Sequence, residues 1–367
     1  MVSQIPLLAL AAQLLLLAQT IHAAGLAYKG VDWSSVIVSE KSGRSYKDSS
    51  GKVQPLETIL KASGVNTVRA RLWVNPTGGN YNLDYNLQLA KRAKAAGLAT
   101  YIDLHYSDTW ADPAHQTTPA AWSRAASNVE DLAKIVRNYT RDAVAAFAKN
   151  DLPLSLISIG NEITTGLLWP TGRQSGKNTG FNNIARLLGA AAAGVRDANM
   201  EPRPKIMVHL DNGWNWETQK WWYDELAKAA AGNPESLAAK DYDVQGISYY
   251  PFYNQAATLS ALQTSMVNMR KAYGKEVMVV ETDWPISCPQ PKYAFPSDAK
   301  SIPFSAEGQT TWMKEVAKRI VAAGGTGIFY WEPAWIDNAG LGSSCPNNLM
   351  VDDSGKARSS LAVFADI

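Results

Sequence analysis

The chain has 367 residues, of which 46% are hydrophobic and 19% charged, a composition that excludes a disordered protein and allows a large core. Its formal net charge is +2, with no block of like charges, so nothing indicates a nucleic-acid partner. The 13 tryptophans, many beside Pro, Gly, Asp or Asn, predict loop aromatics that suit the apolar faces of sugar rings.

Residues 1–23 are predicted to form a secretory signal peptide, and residues 24–367 the catalytic domain. Leu7–Leu17 is apolar apart from Gln13, and such a run is too short to span a bilayer comfortably. No Lys or Arg precedes it, so an uncleaved anchor is the alternative. No second long apolar run follows. We therefore expect a secreted, extracellular protein with no membrane association after cleavage, and a monomer.

Apolar runs rich in β-branched residues alternate with helical runs, and in four places a glycine separates a helix from the next strand. The predicted strands are Tyr28–Asp32, Thr67–Leu72, Ala99–Leu104, Ser155–Ile159, Lys205–Leu210, Val244–Tyr249, Val277–Val280 and Thr326–Tyr330. The predicted helices are Pro55–Ala62, Leu83–Ala96, Val129–Lys149, Ile184–Ala198, Glu217–Ala231, Leu259–Tyr273 and Gln309–Ala323, with a short one over Arg358–Phe364. This alternation, without a linker, predicts one α/β domain, a (β/α)8 TIM barrel.

Long polar and aromatic segments follow several strands, among them His105–Trp122, Ile163–Phe181 and Asp283–Pro303. The segments that follow helices are short by comparison. In a parallel barrel the loops after the strands form the functional face. We therefore predict that these long loops form a substrate cleft at one end of the barrel.

Two glutamates stand where predicted strands end. The run LSLISIGNE ends in Asn161-Glu162, and VMVVETDWP contains Glu281. Catalytic groups of barrel enzymes gather at these carboxyl ends, and glycoside hydrolysis needs one carboxylic acid and a second carboxylate. The sequence has no GxSxG, HExxH, phosphate loop or GxGxxG. The pair therefore predicts a glycoside hydrolase.

Three further residues suit a secreted protein. Cys288 and Cys345 are the two cysteines, and an even pair in an oxidising compartment is expected to form a disulfide. That bridge would join the loops after strands seven and eight. Asn138 begins an N-glycosylation sequon. We see no carboxylate cluster with calcium spacing, so neither a metal nor a cofactor is predicted.

The glutamate pair resembles that of the large clan of barrel glycosidases with Asn-Glu after strand four and Glu after strand seven. The whole mature chain is similar to the fungal-type endo-β-1,4-galactanases that cut arabinogalactan, glycoside hydrolase family 53. The matching stretches are GVDWSS, ARLWVNP, DLHYSDTWADP, SIGNE, GLLWPTG, HLDNGWNW, GISYYPFY, VVETDWPISCP, YWEPAW and GLGSSC. The resemblance implies endo cleavage of the β-1,4-galactan side chains of pectin, with no cofactor.

The resemblance also implies a retaining, double-displacement mechanism. Glu162 would be the general acid and then the base, with a raised pKa, and Glu281 the nucleophile, with a low pKa. Asn161 would bind the 2-hydroxyl group of the reacting sugar. Arg71 would lie near Glu281 and keep it ionised. His105 would bind the sugar or orient a carboxylate.

Aromatic residues receive expected roles from the same resemblance. Either Tyr249 or Tyr250 would donate a hydrogen bond to Glu281, and strand alternation allows only one of them to point inward. Trp331 would form the floor of the reacting subsite. The further candidates for cleft walls are Asp108, Trp110, His209, Asp211, Trp214, Trp335 and Asp337.

Two other functions fit part of the pattern. A different endo-β-glycanase, such as a mannanase or cellulase, would share the carboxylate pair, because specificity lies in the loops. A catalytically silent carbohydrate-binding barrel would share the aromatic loops, but the presence of both glutamates argues against it.

Overall fold

The computed structural model describes residues 25–175 and 180–367. The predicted signal peptide, residues 1–23, lies outside these ranges. Among the described residues, no helix has the length and apolar character needed to cross a membrane.

The fold is a closed barrel of eight parallel strands, as predicted. The strands, numbered in chain order, are β1 (Tyr28–Asp32), β2 (Thr67–Leu72), β3 (Ala99–Leu104), β4 (Leu156–Ile159), β5 (Lys205–Leu210), β6 (Val244–Ser248), β7 (Glu276–Glu281) and β8 (Gly327–Tyr330). Each strand pairs with its neighbours in sequence, and β1 pairs with β8, where Val31 lies opposite Tyr330. An antiparallel pair of two-residue strands, Gly166–Leu167 and Gly172–Arg173, lies in the loop after β4.

Helices on the outside connect these strands. They are α1 (Val36–Lys41), α2 (Leu56–Ala62), α3 (Leu83–Ala95), α4 (Val129–Lys149), α5 (Phe181–Asp197), α6 (Trp216–Ala230), α7 (Leu259–Tyr273) and α8 (Ala306–Ala322). The six-residue helix α1 was not predicted. Helix α8 begins three residues before the predicted start, because the Ser305 hydroxyl accepts a hydrogen bond from Gly308 N–H and caps the helix. A 3₁₀ helix, Ser359–Ala365, replaces the predicted terminal helix.

The barrel interior changes from apolar to polar along the strands. An apolar cluster lies inside the barrel, and most of its members stand in the first half of their strands: Tyr101, Leu156, Met207, Val244, Met278, Val280 and Phe329. Two and four residues further along, the positions on the same inward face carry polar side chains, such as Asp103 and His105 after Tyr101. Asp211, just after β5, follows Met207 in the same way. The apolar cluster therefore closes one half of the barrel and leaves polar groups at the carboxyl ends.

The predicted disulfide joins Cys288 in the loop after β7 to Cys345 in the loop after β8. A backbone hydrogen bond of 2.9 Å from Ile286 to the Asn347 carbonyl lies beside it. These two contacts fix the loops to each other at the carboxyl end of the barrel. Asn138 is exposed on α4, and its glycosylation stays a prediction.

Candidate active site

A cavity of about 590 Å³ opens at the carboxyl ends of the strands. Loops after β3, β4, β5, β6, β7 and β8 contribute to its wall. The predicted site residues that line it are Arg71, His105, Trp110, Asn161, Glu162, Asp211, Trp214, Tyr250, Glu281, Trp331 and Trp335. The barrel therefore brings together side chains that are far apart in the sequence.

Glu162 reaches the cavity from an unusual backbone conformation. Strand β4 ends at Ile159, and the chain then turns through Gly160, with φ +123°, and Glu162, with φ +48°. The second value is left-handed, a region that glutamate rarely adopts. A Cβ atom at Gly160 would lie 2.8 Å from a methyl carbon of Ile163, so glycine also avoids a clash there. The sharp turn directs the Glu162 carboxyl into the cavity.

Glu281 reaches the same cavity through an irregularity in β7. Ile247 of β6 lies opposite Val279, but the next residue, Ser248, lies opposite Glu281. One extra residue of β7, Val280, is therefore inserted relative to β6, as in a β-bulge. Val280 belongs to the apolar interior and Glu281 lines the cavity. The register shift thus allows two successive side chains of one strand to point inward.

Arg69, not Arg71, pairs with Glu281. The Arg69 Nη2 atom lies 2.7 Å from Glu281 Oε1. The same guanidinium binds Asp32 at 2.7 Å and Asp103 at 2.8 Å. The prediction that Arg71 lies near Glu281 is wrong. Both arginines point inward from alternate positions of β2, and Arg69 is one layer deeper in the barrel.

Arg71 instead belongs to the aromatic wall. Its Nη1 atom donates to Glu332 at 2.6 Å, and its guanidinium lies 4.4 Å from the ring centre of Trp110 and 5.2 Å from that of Trp335. Burial raises the pKa of Glu332 to about 7, although the charge of Arg71 opposes this shift. The Trp110 and Trp335 rings are stacked with their centres 6.2 Å apart. Arg71 thus holds a two-tryptophan platform by cation–π contacts.

His105 is held in one tautomer by its neighbours. Its Nδ1 atom accepts from the Trp73 indole at 3.1 Å and from the Ala111 amide at 3.2 Å. The proton therefore lies on Nε2, which is 3.1 Å from Asp103 Oδ2. Burial lowers the pKa of His105, so this imidazole is neutral. His105 lines the cavity and contacts the Asp103 carboxylate, which agrees with one of its two predicted roles; its contact with the sugar stays a prediction.

Asn161 is fixed on both sides of its amide. Its Oδ1 atom accepts from Arg69 at 2.9 Å, and its Nδ2 atom donates to the Ala111 carbonyl at 2.7 Å. One N–H remains for a ligand, because a primary amide has two. Asn161 lines the cavity beside Glu162, where a sugar hydroxyl could reach it.

Tyr250 is the tyrosine that faces Glu281. Its hydroxyl donates to Glu281 Oε2 at 2.8 Å. The Tyr249 side chain points away from the cavity, stacks on Trp312 and donates to the Ala257 carbonyl at 2.9 Å. Tyr249 is thus a structural residue that closes the loop after β6.

Three other candidates do not reach the cavity. Asp108 accepts hydrogen bonds from the backbone of Asn75 and Ala120, both at 2.9 Å, and so ties loops together. His209 is fully buried beneath the cavity, with Nε2 2.9 Å from the Ser248 hydroxyl. Asp337 binds Arg44 on the surface. These three residues, predicted as candidates for the cleft walls, are therefore not among the residues that line the cavity, because local protein groups bind them or the interior covers them.

The two cavity glutamates ionise in a definite order. Burial, followed by the charges of Glu281 and Asp211, raises the pKa of Glu162 well above its usual value. Burial also raises the pKa of Glu281, against the low value expected, but Arg69 and the hydrogen bond from Tyr250 oppose this shift. Glu281 therefore loses its proton first, and Glu162 keeps its proton to higher pH.

Several residues of the site were not predicted: Asp32, Arg69, Asp103, Asp112, Ser248, Tyr253, Asp283 and Glu332. Arg69 and Asp103 occupy alternate positions before Arg71 and His105, so the two-residue period could have found them. Asp283 is almost fully buried in the cavity wall. Burial, followed by the charge of Glu281, raises its pKa well above the usual value.

Known proteins resemble this chain over most of its length. The model of the family described as Glycosyl hydrolase family 53 matches residues 28–364. An arabinogalactan endo-beta-1,4-galactanase of Thermothelomyces thermophilus is 57% identical over 343 residues, 93% of this chain and 100% of that protein. One of the same name from Humicola insolens is 56% identical over 340 residues, 92% and 99% of the two chains.

Solved structures give the same result. A structure from a study of two fungal beta-1,4-galactanases has 57% identity and a TM-score of 0.89, covering 94% of this chain and 100% of that one. The GH53 catalytic domain of Ignisphaera aggregans has 29% identity and a TM-score of 0.79, covering 94% and 97%.

Proposed function

This chain belongs to glycosyl hydrolase family 53, and on that basis we propose that it is a secreted endo-β-1,4-galactanase that cleaves (arabino)galactan with retention of configuration. The observation that carries the proposal is the pair Glu162 and Glu281 in one cavity, in which Arg69 and Tyr250 contact Glu281 rather than Glu162. This asymmetry suits one carboxyl that stays protonated and one that attacks as a carboxylate.

In the first step, a carboxylate oxygen of Glu281 attacks the anomeric carbon of the sugar in the cavity. The bond from that carbon to the glycosidic oxygen breaks, and Glu162 gives its proton to the departing oxygen. The products are a covalent galactosyl ester on Glu281 and a shorter chain with a new hydroxyl. Both proposed roles follow the order in which the two groups ionise.

In the second step, Glu162 acts as a base. The ester at Glu281 carries no negative charge, so one of the causes of the raised pKa of Glu162 is removed and its carboxylate is easier to form. Glu162 takes a proton from water, the water oxygen attacks the anomeric carbon, and the ester bond breaks. Two inversions give net retention and restore both glutamates.

The polar groups around Glu281 prepare it for this cycle. Arg69 and Tyr250 each donate to a different oxygen of Glu281, which fixes the carboxylate plane and favours its charge. Asn161, bound to the same Arg69, lies in position to bind the hydroxyl next to the anomeric carbon. His105, held neutral, directs its Nε2–H to Asp103, the carboxylate that also binds Arg69, and so helps to hold Arg69 beside Glu281.

Secretion, glycosylation and the monomeric state form a separate part of the proposal. The apolar run before residue 24 supports cleavage after Ala23, and the Cys288–Cys345 disulfide suits an oxidising compartment. Mass spectrometry of protein secreted by a fungal host tests both the mature amino terminus and a glycan on Asn138.

The substrate assignment is tested by product profiles. Purified protein is offered linear β-1,4-galactan, mannan and carboxymethylcellulose, and reducing ends are counted. We expect short galactooligosaccharides from galactan. Activity confined to mannan or cellulose would replace the galactanase assignment with another endo-β-glycanase.

The same assay with a Glu281→Gln variant separates an enzyme from a binding barrel. We expect turnover to fall by about four orders of magnitude or more, by analogy with other catalytic nucleophiles. Unchanged turnover would show that the nucleophile lies elsewhere. Glu162→Ala is expected to lose the first step on galactan, while substrates with good leaving groups still react in that step.

A further inference from the structure

The cavity has an aromatic group at each of two opposite sides. Trp331 and Trp335 follow β8, and Trp110, which stacks on Trp335, also contacts Arg71 of β2. These rings form the β8–β2 side. Trp214 follows β5 and Tyr253 follows β6, on the other side of the closed barrel. Glu162 and Glu281 also line this cavity, so a chain bound across it would meet aromatic rings on both sides of the carboxyls.

Tyr253 has the properties of a sugar platform. It lines the cavity, yet 47% of its surface is exposed, so a large part of the side chain is open to a ligand. The ring is supported edge-on by Phe252, at 4.8 Å between centres, and by Tyr250, at 5.6 Å. The loop that carries it is closed by the hydrogen bond of 2.9 Å from Tyr249 to the Ala257 carbonyl. An exposed ring on a supported loop suits the C–H face of galactose.

The position of the acid decides which sugar this platform would bind. A general acid must lie beside the oxygen that it protonates, so the leaving part of the chain passes Glu162. Besides Glu281, the charged groups that raise the pKa of Glu162 are Asp211, at the end of β5, and Asp112. Strand β4, which ends just before Glu162, pairs with β5, and Tyr253 follows β6 and lines the same cavity as Glu162. Burial, followed by the charges of Asp283 and Glu162, raises the pKa of Tyr253, which agrees with this placement. The leaving sugar therefore lies toward β5 and β6.

We infer that Tyr253 is the stacking platform for the sugar on the leaving side of the scissile bond, and for any sugar that replaces water as acceptor in the second step. This inference rests on the proposed function and deepens it. Trp110 and Trp335, on the β8–β2 side, then belong to the part of the chain that becomes bonded to Glu281. In the transfer reaction the acceptor hydroxyl loses its proton to Glu162, and the Glu281 ester bond is replaced by a new glycosidic bond.

The test compares two substrates. Linear galactan has sugars on both sides of the bond, whereas β-galactobiosyl fluoride leaves only fluoride and has no sugar on the leaving side. For Tyr253→Ala we expect kcat/KM on galactan to fall about 3- to 10-fold, the value of one aromatic contact. Release of fluoride stays within a factor of about two, because hydrolysis of this substrate makes no contact with the platform. With added galactobiose as acceptor, the ratio of transfer to hydrolysis also falls.

Two variants serve as matched controls. Tyr253→Phe keeps the ring and should recover most of the kcat/KM on galactan that Tyr253→Ala loses. Trp335→Ala, on the β8–β2 side, should lower kcat/KM for both substrates. An equal loss on galactan and fluoride in Tyr253→Ala would show that the residue only supports Tyr250, and no loss on either would show that no sugar stacks there. If the unmodified protein acts on neither substrate, the proposed function itself fails.

Discussion

The Arg69 guanidinium lies 2.7 Å from Glu281 and is at the same time 2.7 Å from Asp32 and 2.8 Å from Asp103. One cation thus serves three carboxyls, and the group proposed to attack the substrate shares its counter-ion with two groups that are fully buried. Catalysis and stability therefore depend on the same side chain.

Removing the Arg69 charge should damage both properties. In Arg69→Gln we expect the acid limb of the pH–rate profile to move to higher pH, because the cation that lowers the pKa of Glu281 is lost. The free energy of unfolding should fall by about 3–5 kcal/mol, since buried carboxylates lose their partner. Arg71→Gln, two positions along the strand, is the control and should leave the acid limb in place. An unmoved acid limb in both variants would contradict the role of Arg69.

Adjacent tyrosines provide a second matched pair. Tyr250→Phe removes the donor to Glu281 and should lower kcat about 10- to 100-fold, the value of a hydrogen bond to a charged group. Tyr249→Phe removes the bond to the Ala257 carbonyl and should cost about 1 kcal/mol of stability with little change in kcat. Steady-state kinetics and denaturant unfolding of the two proteins check this. The reverse result would mean that the loop, and not the hydroxyl, controls turnover.

Most of the architecture was predictable because local signals agree with the fold. β-Branched runs, helical runs and the glycines between them predicted the eight strands of the barrel and most of the outer helices. The two glutamates were predictable because each follows a buried run. The partner of Glu281 was not predictable. Arg69 and Arg71 are two residues apart and both point inward, and the sequence does not show which of them lies at the depth of Glu281.

Loop residues were less predictable for a related reason. Whether a loop aspartate faces a ligand or a backbone amide depends on contacts distant in sequence, such as that of Asp108 with Ala120. His209 lies on strand β5 and is fully buried, a depth that the sequence does not show. The orientation of Glu281 depends on a register shift between β6 and β7, which leaves no signal in a single sequence. Tyr253 was missed because it follows Tyr249, Tyr250 and Phe252 closely, and the sequence does not show which of these rings faces the cavity.

Activity should have a bell-shaped dependence on pH. The proposed mechanism needs Glu281 ionised and Glu162 protonated, so we expect activity to rise as pH passes the pKa of Glu281 and to fall as pH passes the higher pKa of Glu162. In Glu162→Gln the alkaline limb should disappear from the first step with a good leaving group, while the acid limb remains. The rate of pre-steady-state release of that leaving group, followed across pH, measures both limbs of the first step. An alkaline limb that persists would assign that ionisation to another residue.

Stability should depend on pH through the same residue. The pKa of Glu162 is raised in the folded protein, so the unfolded chain releases this proton at lower pH, near about 4.3. Stability is then lost as pH rises from there toward the folded-state pKa. At pH 6–7, about two pH units above the unfolded-state pKa of glutamate, Glu162→Gln should therefore unfold at a higher temperature than the unmodified protein. At a pH well below that pKa, the two proteins should unfold at similar temperatures. Calorimetry at the two pH values decides, and equal shifts at both would contradict it.

The disulfide should stabilise the cavity wall as well as the fold. Leu341 and Gly342, which line the cavity, lie in the same loop as Cys345. Replacing both cysteines by serine opens a loop with a sequence separation of 57 and should cost up to about 4 kcal/mol. We also expect a higher KM for galactan with kcat nearly unchanged. Unaltered KM would limit the bridge to a structural role.

At Glu162 the left-handed backbone sets the residue that folding favours against the residue that the proposed reaction needs. Glycine or asparagine would adopt φ +48° more easily, and glutamate there costs the native state about 1–3 kcal/mol. A combinatorial library randomised at this codon and sorted only for expression yield would be enriched in those two amino acids. Selection for thermal robustness alone would thus favour variants that lack the proposed acid.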